Sequence, residues 1–296
     1  MAKPANHFKP NPMPPKPAAA ARSASPPAPT RAGQADIHRL YERAVQCPEA
    51  EVDFLTERFH WLRGREARRL REDFCGTAAV CREWVERHPQ NNALGLDADA
   101  AVLAWAERHN RAPLPPSSRA RLQLLRADVR AAPPGEAPDA VIAMNFSYWL
   151  FRERAELRDY FRAVHRDLAA DGVFFLDAYG GYDAFRAIIE ERTVEDDEGT
   201  FTYRWEQASY DPITGLMDCH IDFALPDGTE LRRAFSYRWR LWTLPEIREL
   251  LGEAGFRQIV VYWQGWSEDG EPDGDFQPAE HADADAGWIC YLSAQK

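Results

Sequence analysis

A turn of small residues and an acid further along the chain are the groups in this sequence best suited to hold a ligand. Cys75-Gly76-Thr77 breaks a short strand-like run, and Asp97 ends the next apolar run, residues 93–96. An amphipathic helix fills the separation of about twenty residues between them. A turn without bulky side chains lets backbone N–H groups approach a ligand, and a carboxylate at a strand tip accepts both hydroxyls of a ribose. This strand–turn–helix–strand unit predicts a site for an adenosine-containing cofactor.

The glycine content of the turn bears on which cofactor binds. A dinucleotide fold uses G-x-G-x-x-G to place a diphosphate on a helix N-terminus, whereas Gly76 is the single glycine of this turn. An NAD-dependent oxidoreductase on a related fold is therefore disfavoured, but it stays open as an alternative. The run from Glu72 to Ala78, E-D-F-C-G-T-A, instead resembles motif I of the class I S-adenosylmethionine-dependent methyltransferases, whose pattern is acid-x-Gly-x-Gly-x-Gly.

That resemblance implies how the chain holds S-adenosylmethionine. Glu72 takes the acidic position of the motif, Gly76 the middle glycine and Asp97 the ribose-binding acid. Phe74 and Ala78 stand where the motif has its first and third glycines. The residues expected to bind the cofactor are Glu72, Phe74, Cys75, Gly76, Thr77, Asp97, Ala98, Asp128, Val129 and Asn145.

A third strand-like run, residues 122–128, ends in another acid. The resemblance implies that Asp128 receives the exocyclic amine of adenine and that the Val129 backbone lies beside the ring. A solvated aspartate at a strand end is the alternative interpretation of Asp128.

Two further strands bring polar residues to the same edge of the sheet. Residues 138–145 form an almost uninterrupted apolar run, which is typical of a central parallel strand. This run ends in Asn145-Phe-Ser-Tyr148, which loosely resembles the Asn-Pro-Pro-Tyr of amino-methylating enzymes but lacks both prolines. The next strand, residues 173–177, ends at Asp177, with Tyr179 just beyond. Because ligands of open α/β sheets bind at the carboxyl ends of the strands, we expect these residues to face the transferred methyl group.

Three strand-like runs then predict an antiparallel meander, residues 201–210, 216–225 and 230–242. Alternation on its middle strand places His220 on a polar face, opposite an apolar face. Arg238 and Arg240 share the polar face of the last strand. This polar face is either a solvated surface or, by family analogy, the inner side of a substrate lid. On the second interpretation His220 is a catalytic candidate, and Arg238 and Arg240 bind the substrate. At the sheet edge, Asp177 and Tyr179 are further catalytic candidates, and Tyr148 is a further substrate-binding candidate.

Composition excludes several classes of function. The chain of 296 residues has a formal net charge of −11 at pH 7. Residues 1–34 carry five basic residues and no acid, so their formal charge is +5 and that of residues 35–296 is −11 − 5 = −16. Such an acidic body disfavours a nucleic-acid substrate. No apolar run is long enough to span a membrane, and the five scattered cysteines indicate neither a disulfide framework nor a metal site. We therefore expect a cytoplasmic protein without a bound metal.

These patterns predict an α/β fold with a doubly wound, mostly parallel seven-stranded sheet and an inserted antiparallel β-meander. Residues 1–34 are expected to be a disordered Pro/Ala-rich tail. Residues 35–296 are expected to form the methyltransferase domain, with N-terminal helices in 35–66 and the insert in 190–242. The predicted function is methyl transfer from S-adenosylmethionine to a nitrogen or oxygen of a small organic acceptor. The alternatives are the NAD-dependent oxidoreductase and a non-catalytic, methyltransferase-like binding module.

Overall fold

The computed structural model describes residues 35–132, 135–266 and 272–296, so the tail expected in residues 1–34 lies outside the described residues. Seven α-helices occur in the described part of the chain, and short 3₁₀ turns occur at several strand ends. The helices are α1 Ile37–Val45, α2 Pro48–Arg63, α3 Ala79–Arg87, α4 Ala100–Ala106, α5 Pro116–Arg119, α6 Arg154–Asp167 and α7 Leu244–Ala254. The strands are β1 Arg69–Asp73, β2 Asn92–Asp97, β3 Leu122–Arg126, β4 Ala140–Ala143, β5 Val173–Gly180, β6 Ile188–Asp196, β7 Gly199–Tyr210, β8 Leu216–Ala224, β9 Glu230–Arg240, β10 Arg257–Trp266, β11 Pro272–Pro278 and β12 Trp288–Gln295.

The main sheet is doubly wound and mostly parallel, in the order β11-β10-β12-β5-β4-β1-β2-β3. Strands β3, β2, β1, β4 and β5 run parallel, and β12 pairs antiparallel with β5. The order in which strands are added reverses at β1, because β2 and β3 lie on one side of it and β4 and β5 on the other. In such sheets the crevice at the carboxyl ends of the strands on either side of this point is the place for a ligand.

The predicted fold class is confirmed, but the strand count differs from the prediction. The main sheet has eight strands among the described residues, because β11 pairs antiparallel with β10 at its edge. The sequence of β11 has a proline at each end and Gly274 within it, residues that strands generally exclude. An edge strand tolerates them because one side of it needs no hydrogen-bond partner in the sheet.

The insert is also larger than predicted, with four antiparallel strands in the order β6-β7-β8-β9 instead of three. The additional strand β6 has the sequence I-I-E-E-R-T-V-E-D and is mostly exposed. Its charges hide the alternation that marks a half-buried strand, and charged residues are typical of an edge strand that must not pair further. On β8, by contrast, every second residue from Met217 to Phe223 is buried, as the alternation predicted.

Two apolar layers hold the main sheet between helices. On one face Phe174 and Leu176 of β5 pack with Phe161 of α6 and Leu250 of α7. On the other face Phe175, with the opposite orientation on the same strand, packs with residues of α2 and α3. Burying one such side chain contributes roughly 1.5–3 kcal/mol, so alternation along β5 fixes the strand firmly between both layers.

Helix boundaries follow local signals. Helix α7 begins after Thr243, whose hydroxyl and the Glu246 carboxylate form a capping box, and it ends at Gly255 in the left-handed conformation. Helix α2 begins with Pro48 and ends at Gly64, also left-handed. None of the helices in residues 35–132, 135–266 and 272–296 is both long and apolar enough to cross a membrane.

Candidate active site

The backbone of the turn after β1 is the first unusual feature of the sheet edge. Phe74, Gly76 and Ala78 all have positive φ, at 60°, 50° and 58°. Alternate residues are thus left-handed, a conformation that costs a residue with a Cβ roughly 1–2 kcal/mol. These are the three positions at which the resemblance implies glycine. The turn therefore keeps the backbone shape of the motif although only one glycine is present.

Asp97 at the tip of β2 ties this turn to the sheet. Its Oδ2 accepts a hydrogen bond from the Gly76 N–H at 2.8 Å, and its Oδ1 accepts one from the Asp99 N–H at 2.9 Å. The remaining lone pairs of the carboxylate are available to a pair of hydroxyl donors. A Cβ placed on Gly76 would meet no atom within 4 Å. The turn therefore borders open space at the position where a ribose would lie.

Glu72 has a partner inside the protein. Its Oε2 accepts the N–H of Cys81 at 3.0 Å, which satisfies a free donor in the first turn of α3. Ala78 precedes that helix and has no side chain to cap it. Burial raises the pKa of Glu72 to about 7. The acid of the motif therefore supports the helix that follows the turn.

The other residues of the turn, Cys75 and Thr77, are held by contacts with β2, with the end of α1 and with Asn110. The Cys75 side chain is buried, and its backbone N–H donates to the Leu96 carbonyl at 2.9 Å. The hydroxyl of Thr77 donates to Oε1 of Gln46, at the end of α1, at 3.0 Å. The side-chain amide of Asn110 donates to the Thr77 carbonyl at 2.8 Å. The turn is thus held in place by side chains from three separate segments.

Asp128 and Val129 lie beside Asp97 at the next strand tip. The N–H of Ala127 donates to the Asp97 carbonyl at 3.0 Å, and the Ala98 carbonyl accepts a hydrogen bond from the side chain of the last β3 residue. The Asp128 carboxylate accepts the Arg130 N–H at 2.9 Å and pairs with the Arg130 guanidinium at 2.7 Å. That side-chain hydrogen bond lowers the pKa of Asp128. Residues 72–78, 97–98 and 128–129 thus line one continuous edge, which we call the cofactor cradle.

At the tip of β4, Asn145 and Phe146 are consecutive left-handed residues, with φ of 57° and 55°. The buried carboxylate of Asp177 accepts both of their N–H groups, at 2.7 Å and 2.9 Å. Burial raises the pKa of Asp177 to about 7. The Tyr148 hydroxyl donates to the Asp177 carbonyl at 2.7 Å, and the Tyr148 side chain is fully buried.

These contacts correct two expectations from the sequence. Asp177 and Tyr148 lie behind the β4 tip, where they hold it, instead of facing a substrate. Strand alternation directed the Asp177 side chain into the protein, and nothing in the sequence marked the Asn145–Phe146 turn as its partner. Asn145 itself does reach the cavity described next.

A cavity of about 550 Å³ opens between the β4 tip, the end of β5, helix α1 and the insert. Eight aromatic residues line it: Tyr41, Phe146, Tyr179, Tyr203, Trp205, Tyr237, Trp239 and Trp288. The rings of Tyr237 and Trp239 stack at 4.5 Å, and those of Phe146 and Tyr179 meet edge to face at 4.7 Å. We call this cavity the aromatic pocket.

A short polar chain crosses the aromatic pocket. The Tyr179 hydroxyl donates to Oε1 of Gln207 at 3.2 Å, and Nε2 of Gln207 donates to the carbonyls of Asp183 and Arg186 at 3.2 Å and 3.3 Å. Burial raises the pKa of Tyr179 well above its usual value, so this residue stays a neutral phenol. Carboxylates of Asp183, Glu190 and Glu191 complete the polar part of the wall.

The insert contributes its apolar face to the pocket, and this corrects the expectation for its polar face. His220 lies on the other side of β8, where its Nδ1 is 2.9 Å from the Ser236 hydroxyl. The Arg238 side chain is 64% exposed, and the Arg240 guanidinium lies over Trp242, 3.8 Å from the ring centroid. The physical reason is that Ile221, Tyr237 and Trp239 must bury their own face against the main sheet. His220, Arg238 and Arg240 are therefore not brought together with the predicted site.

Sequence reasoning missed Gln207, Trp205 and Asp183 as pocket residues. The alternation along the last strand of the meander does place Tyr237 and Trp239 on the same face. The face that lines the pocket is not the polar face of the meander. The large aromatic residues that alternate on its other face are the better sequence signal for a pocket wall.

Helix α1 joins the cofactor cradle to the insert. Besides the contact between Gln46 and Thr77, Glu42 accepts a hydrogen bond from Asn110 at 2.6 Å. On its other side Arg43 pairs with Asp196 at the β6–β7 turn. Tyr41, on the same helix, lines the aromatic pocket. One helix therefore contacts both halves of the site.

Comparison with known proteins agrees with this geometry. A family model described as "Methyltransferase domain" matches residues 74–172, which include the turn, Asp97, Asp128 and the β4 tip. No curated protein matches the chain.

Solved structures of methyltransferases share the fold. CalS10, an amino pentose methyltransferase from Micromonospora echinaspora, is 19% identical, with a TM-score of 0.63 over 87% of this chain and 95% of that chain. An S-adenosylmethionine-dependent methyltransferase from Clostridium acetobutylicum ATCC 824 is 19% identical, with a TM-score of 0.62 over 87% and 96%. The sugar N-methyltransferase KedS8 from Streptoalloteichus sp ATCC 53650 is 19% identical, with a TM-score of 0.60 over 94% and 98%.

The fold is that of the class I S-adenosylmethionine-dependent methyltransferases, and residues 74–172 match a methyltransferase domain. The residues present fit this donor: the turn borders open space at Gly76, and the Asp97 carboxylate is fixed beside it with lone pairs to spare.

Proposed function

We propose that this protein is an S-adenosylmethionine-dependent methyltransferase, and that it methylates an amine nitrogen of a small organic acceptor that has the size and shape of an amino sugar. The observation that carries the proposal is the aromatic pocket, which adjoins the β4 tip and has both aromatic faces and carboxylates in its wall. CalS10 and KedS8 are described as acting on an amino pentose and on a sugar nitrogen, and both share this fold over most of their length.

The wall of the pocket suits a cyclic acceptor. The faces of Trp205, Tyr237 and Trp239 offer flat apolar surfaces to the C–H groups of a ring, and Tyr179 and Gln207 offer hydrogen-bonding groups to its hydroxyls. A volume of about 550 Å³ lies within the range of small-molecule sites. A polymer acceptor would need an open groove.

The charges of the pocket favour a cation over an anion. Of the three carboxylates that line it, Asp183 pairs with Arg186 and Glu191 pairs with Arg204, whereas Glu190 has no ion pair among the described residues. The basic residue in the wall is Arg192, whose guanidinium lies over Tyr203 at 5.1 Å. Aromatic faces also attract an ammonium group through the ring quadrupole. An amine acceptor is cationic in water, so it gains from both effects, whereas a neutral alcohol gains from neither.

The chain's contribution to methyl transfer is mainly to position the acceptor. When bound, S-adenosylmethionine supplies a methyl group on a positively charged sulfur. Displacement at that carbon needs the acceptor nitrogen in line with the departing sulfur, and such alignment is worth several kcal/mol. Asp177 fixes the β4 tip that separates the cradle from the pocket. The amine must also lose a proton, and Asp183 is the pocket carboxylate that we assign to receive it.

The proposal is tested with pairs of acceptors that differ only in one group, for example amino sugars and the corresponding alcohols. We expect methyl transfer to the amines alone, with the new methyl located on nitrogen by mass spectrometry and NMR. His220→Ala, on the outer face of the insert, should leave the rate unchanged and serves as the matched control. Equal methylation of the alcohols, or transfer to a protein and to no small amine, would overturn the proposal.

A further inference from the structure

Glu51 on α2 is a buried acid that the site as described does not use. Its side chain is 6% exposed, and its Oε2 has no hydrogen-bond partner within the described ranges 35–132, 135–266 and 272–296. Keeping a carboxylate charged while it is buried without a partner costs several kcal/mol, so such a group holds its proton until a cation pairs with it. A glutamine or leucine at this position would avoid that cost, so the acid calls for an explanation.

The surroundings of Glu51 place it over the carboxyl ends of the central strands. After burial, the groups that act most on its carboxyl are Glu72 at the end of β1 and Asp177 on β5, and together they raise the pKa of Glu51 to about 8. Strand β4 runs between β1 and β5. Tyr41, which lines the aromatic pocket, is in turn affected by the charge of Glu51.

The order of the strands relates this site to the donor. Asp128 follows β3, Asp97 follows β2 and the turn follows β1, so an adenosine seated on Asp128 and Asp97 runs along the sheet edge towards β4. The rest of the donor then extends beyond the turn towards β4 and β5, between the two acids, Glu72 and Asp177, whose charges act on the buried Glu51 carboxyl. The end of α1 just before Glu51 contacts this turn through Gln46 and Thr77. The methionine portion of the donor carries an α-ammonium group, which is the kind of partner that an unpaired buried carboxylate lacks.

We propose that Glu51 binds the α-ammonium group of the methionine portion of S-adenosylmethionine. The inference concerns the donor, so it does not depend on the acceptor proposed above. A charge-assisted hydrogen bond to a buried carboxylate is worth about 10- to 100-fold in affinity.

The test uses ligands that share the adenosine but differ in the amino-acid portion. S-adenosylmethionine and S-adenosylhomocysteine both carry the α-ammonium, whereas 5′-methylthioadenosine lacks it. Calorimetric titration of the full chain and of Glu51→Gln should show about 10- to 100-fold weaker binding of the first two by the variant and unchanged binding of the third. Glu49→Gln, an exposed glutamate on the same helix, is the matched control and should change none of the three affinities.

Other outcomes would overturn the proposal. Weaker binding of S-adenosylmethionine alone would assign Glu51 to the sulfonium, and equal weakening of all three ligands would assign it a structural role. Unchanged affinities would remove it from the donor site. If Glu51→Gln does not fold, wild-type protein decides the question with S-adenosylhomocysteine and its desamino analogue, because the proposal requires the analogue to bind about 10- to 100-fold more weakly.

Discussion

The cofactor cradle and the aromatic pocket adjoin each other at the tip of β4, yet they are built in different ways. The cradle is made mainly of backbone groups and of carboxylates bound to them, from segments close in sequence, as in the bond between Gly76 and Asp97. The pocket is made of side-chain faces contributed by α1, β4, β5, the insert and the loop before β12. A backbone-built site depends on conformation, so it tolerates Phe74 and Ala78. A site built from side chains changes with each substitution, which suits the half that selects the acceptor.

The largest effect is expected where the two regions meet, at Asp177. Burial raises its pKa to about 7, well above the ordinary value for aspartate. The stability that this group contributes is therefore full below about pH 4 and is lost as the pH rises to about 7, a change of about 2–4 kcal/mol. Asp177→Asn should reduce the fall in the free energy of unfolding between pH 5 and 7.5, measured by urea denaturation.

A matched control for this experiment is Asp171→Asn. The hydrogen bond from Arg65 lowers the pKa of Asp171, so its linkage to stability lies at more acidic pH. This variant should keep the wild-type slope between pH 5 and 7.5. An unchanged slope in Asp177→Asn would show that the β4 tip does not depend on the charge of Asp177.

The second prediction concerns the cradle alone. Asp97→Ala removes the carboxylate that holds the Gly76 N–H and faces the space for the ribose. We expect a loss of about 2–3 kcal/mol in donor binding, or about 30- to 150-fold, measured by calorimetry. Unlike Glu51→Gln, this variant should bind 5′-methylthioadenosine more weakly as well. Asp99→Ala, which removes the cap of α4, should leave donor affinity unchanged; similar losses in both variants would contradict a specific role for Asp97.

The third prediction separates the pocket from the cradle. Trp205→Ala removes an aromatic wall that adjoins Trp239 at 6.0 Å. The KM for an amine acceptor should rise about tenfold, which corresponds to about 1.4 kcal/mol, with donor affinity unchanged. Steady-state kinetics and calorimetry measure the two quantities. If donor binding falls in parallel, the two regions are not independent.

The smallest effects concern the left-handed turn. Gly76→Ala places a Cβ in open space, so only the backbone conformation opposes it, and we expect a loss of about 1 kcal/mol in stability. Ala78→Gly removes the corresponding strain at φ 58° but also a buried methyl group, so its net effect should stay below about 1 kcal/mol. Urea denaturation of both variants measures the difference. A neutral Gly76→Ala would show that the turn can relax.

Much of the cradle was predictable because its determinants are local. Asp97, Gly76 and the strands around them follow from apolar runs, a turn and a spacing of about twenty residues. The order of these signals also predicted the doubly wound sheet. What local pattern did not reveal was conformation: the left-handed backbone of Phe74 and Ala78 is imposed by contacts from Gln46, Asn110 and the neighbouring strand.

The pocket could not be predicted to the same extent, because only tertiary packing decides which face of the insert lies against the sheet. The sequence separated the faces of β8 correctly, but it did not indicate that the aromatic face closes the cavity while His220 faces outward. Neither β6 nor β11 was predicted as a strand, because β6 is highly charged and β11 contains prolines and Gly274. The sequence by itself determined the fold class and the cofactor cradle, since both rest on periodicity and spacing. The tertiary structure decided the pocket and placed Asp177 and Glu51, because a buried carboxyl is defined by the groups that surround it.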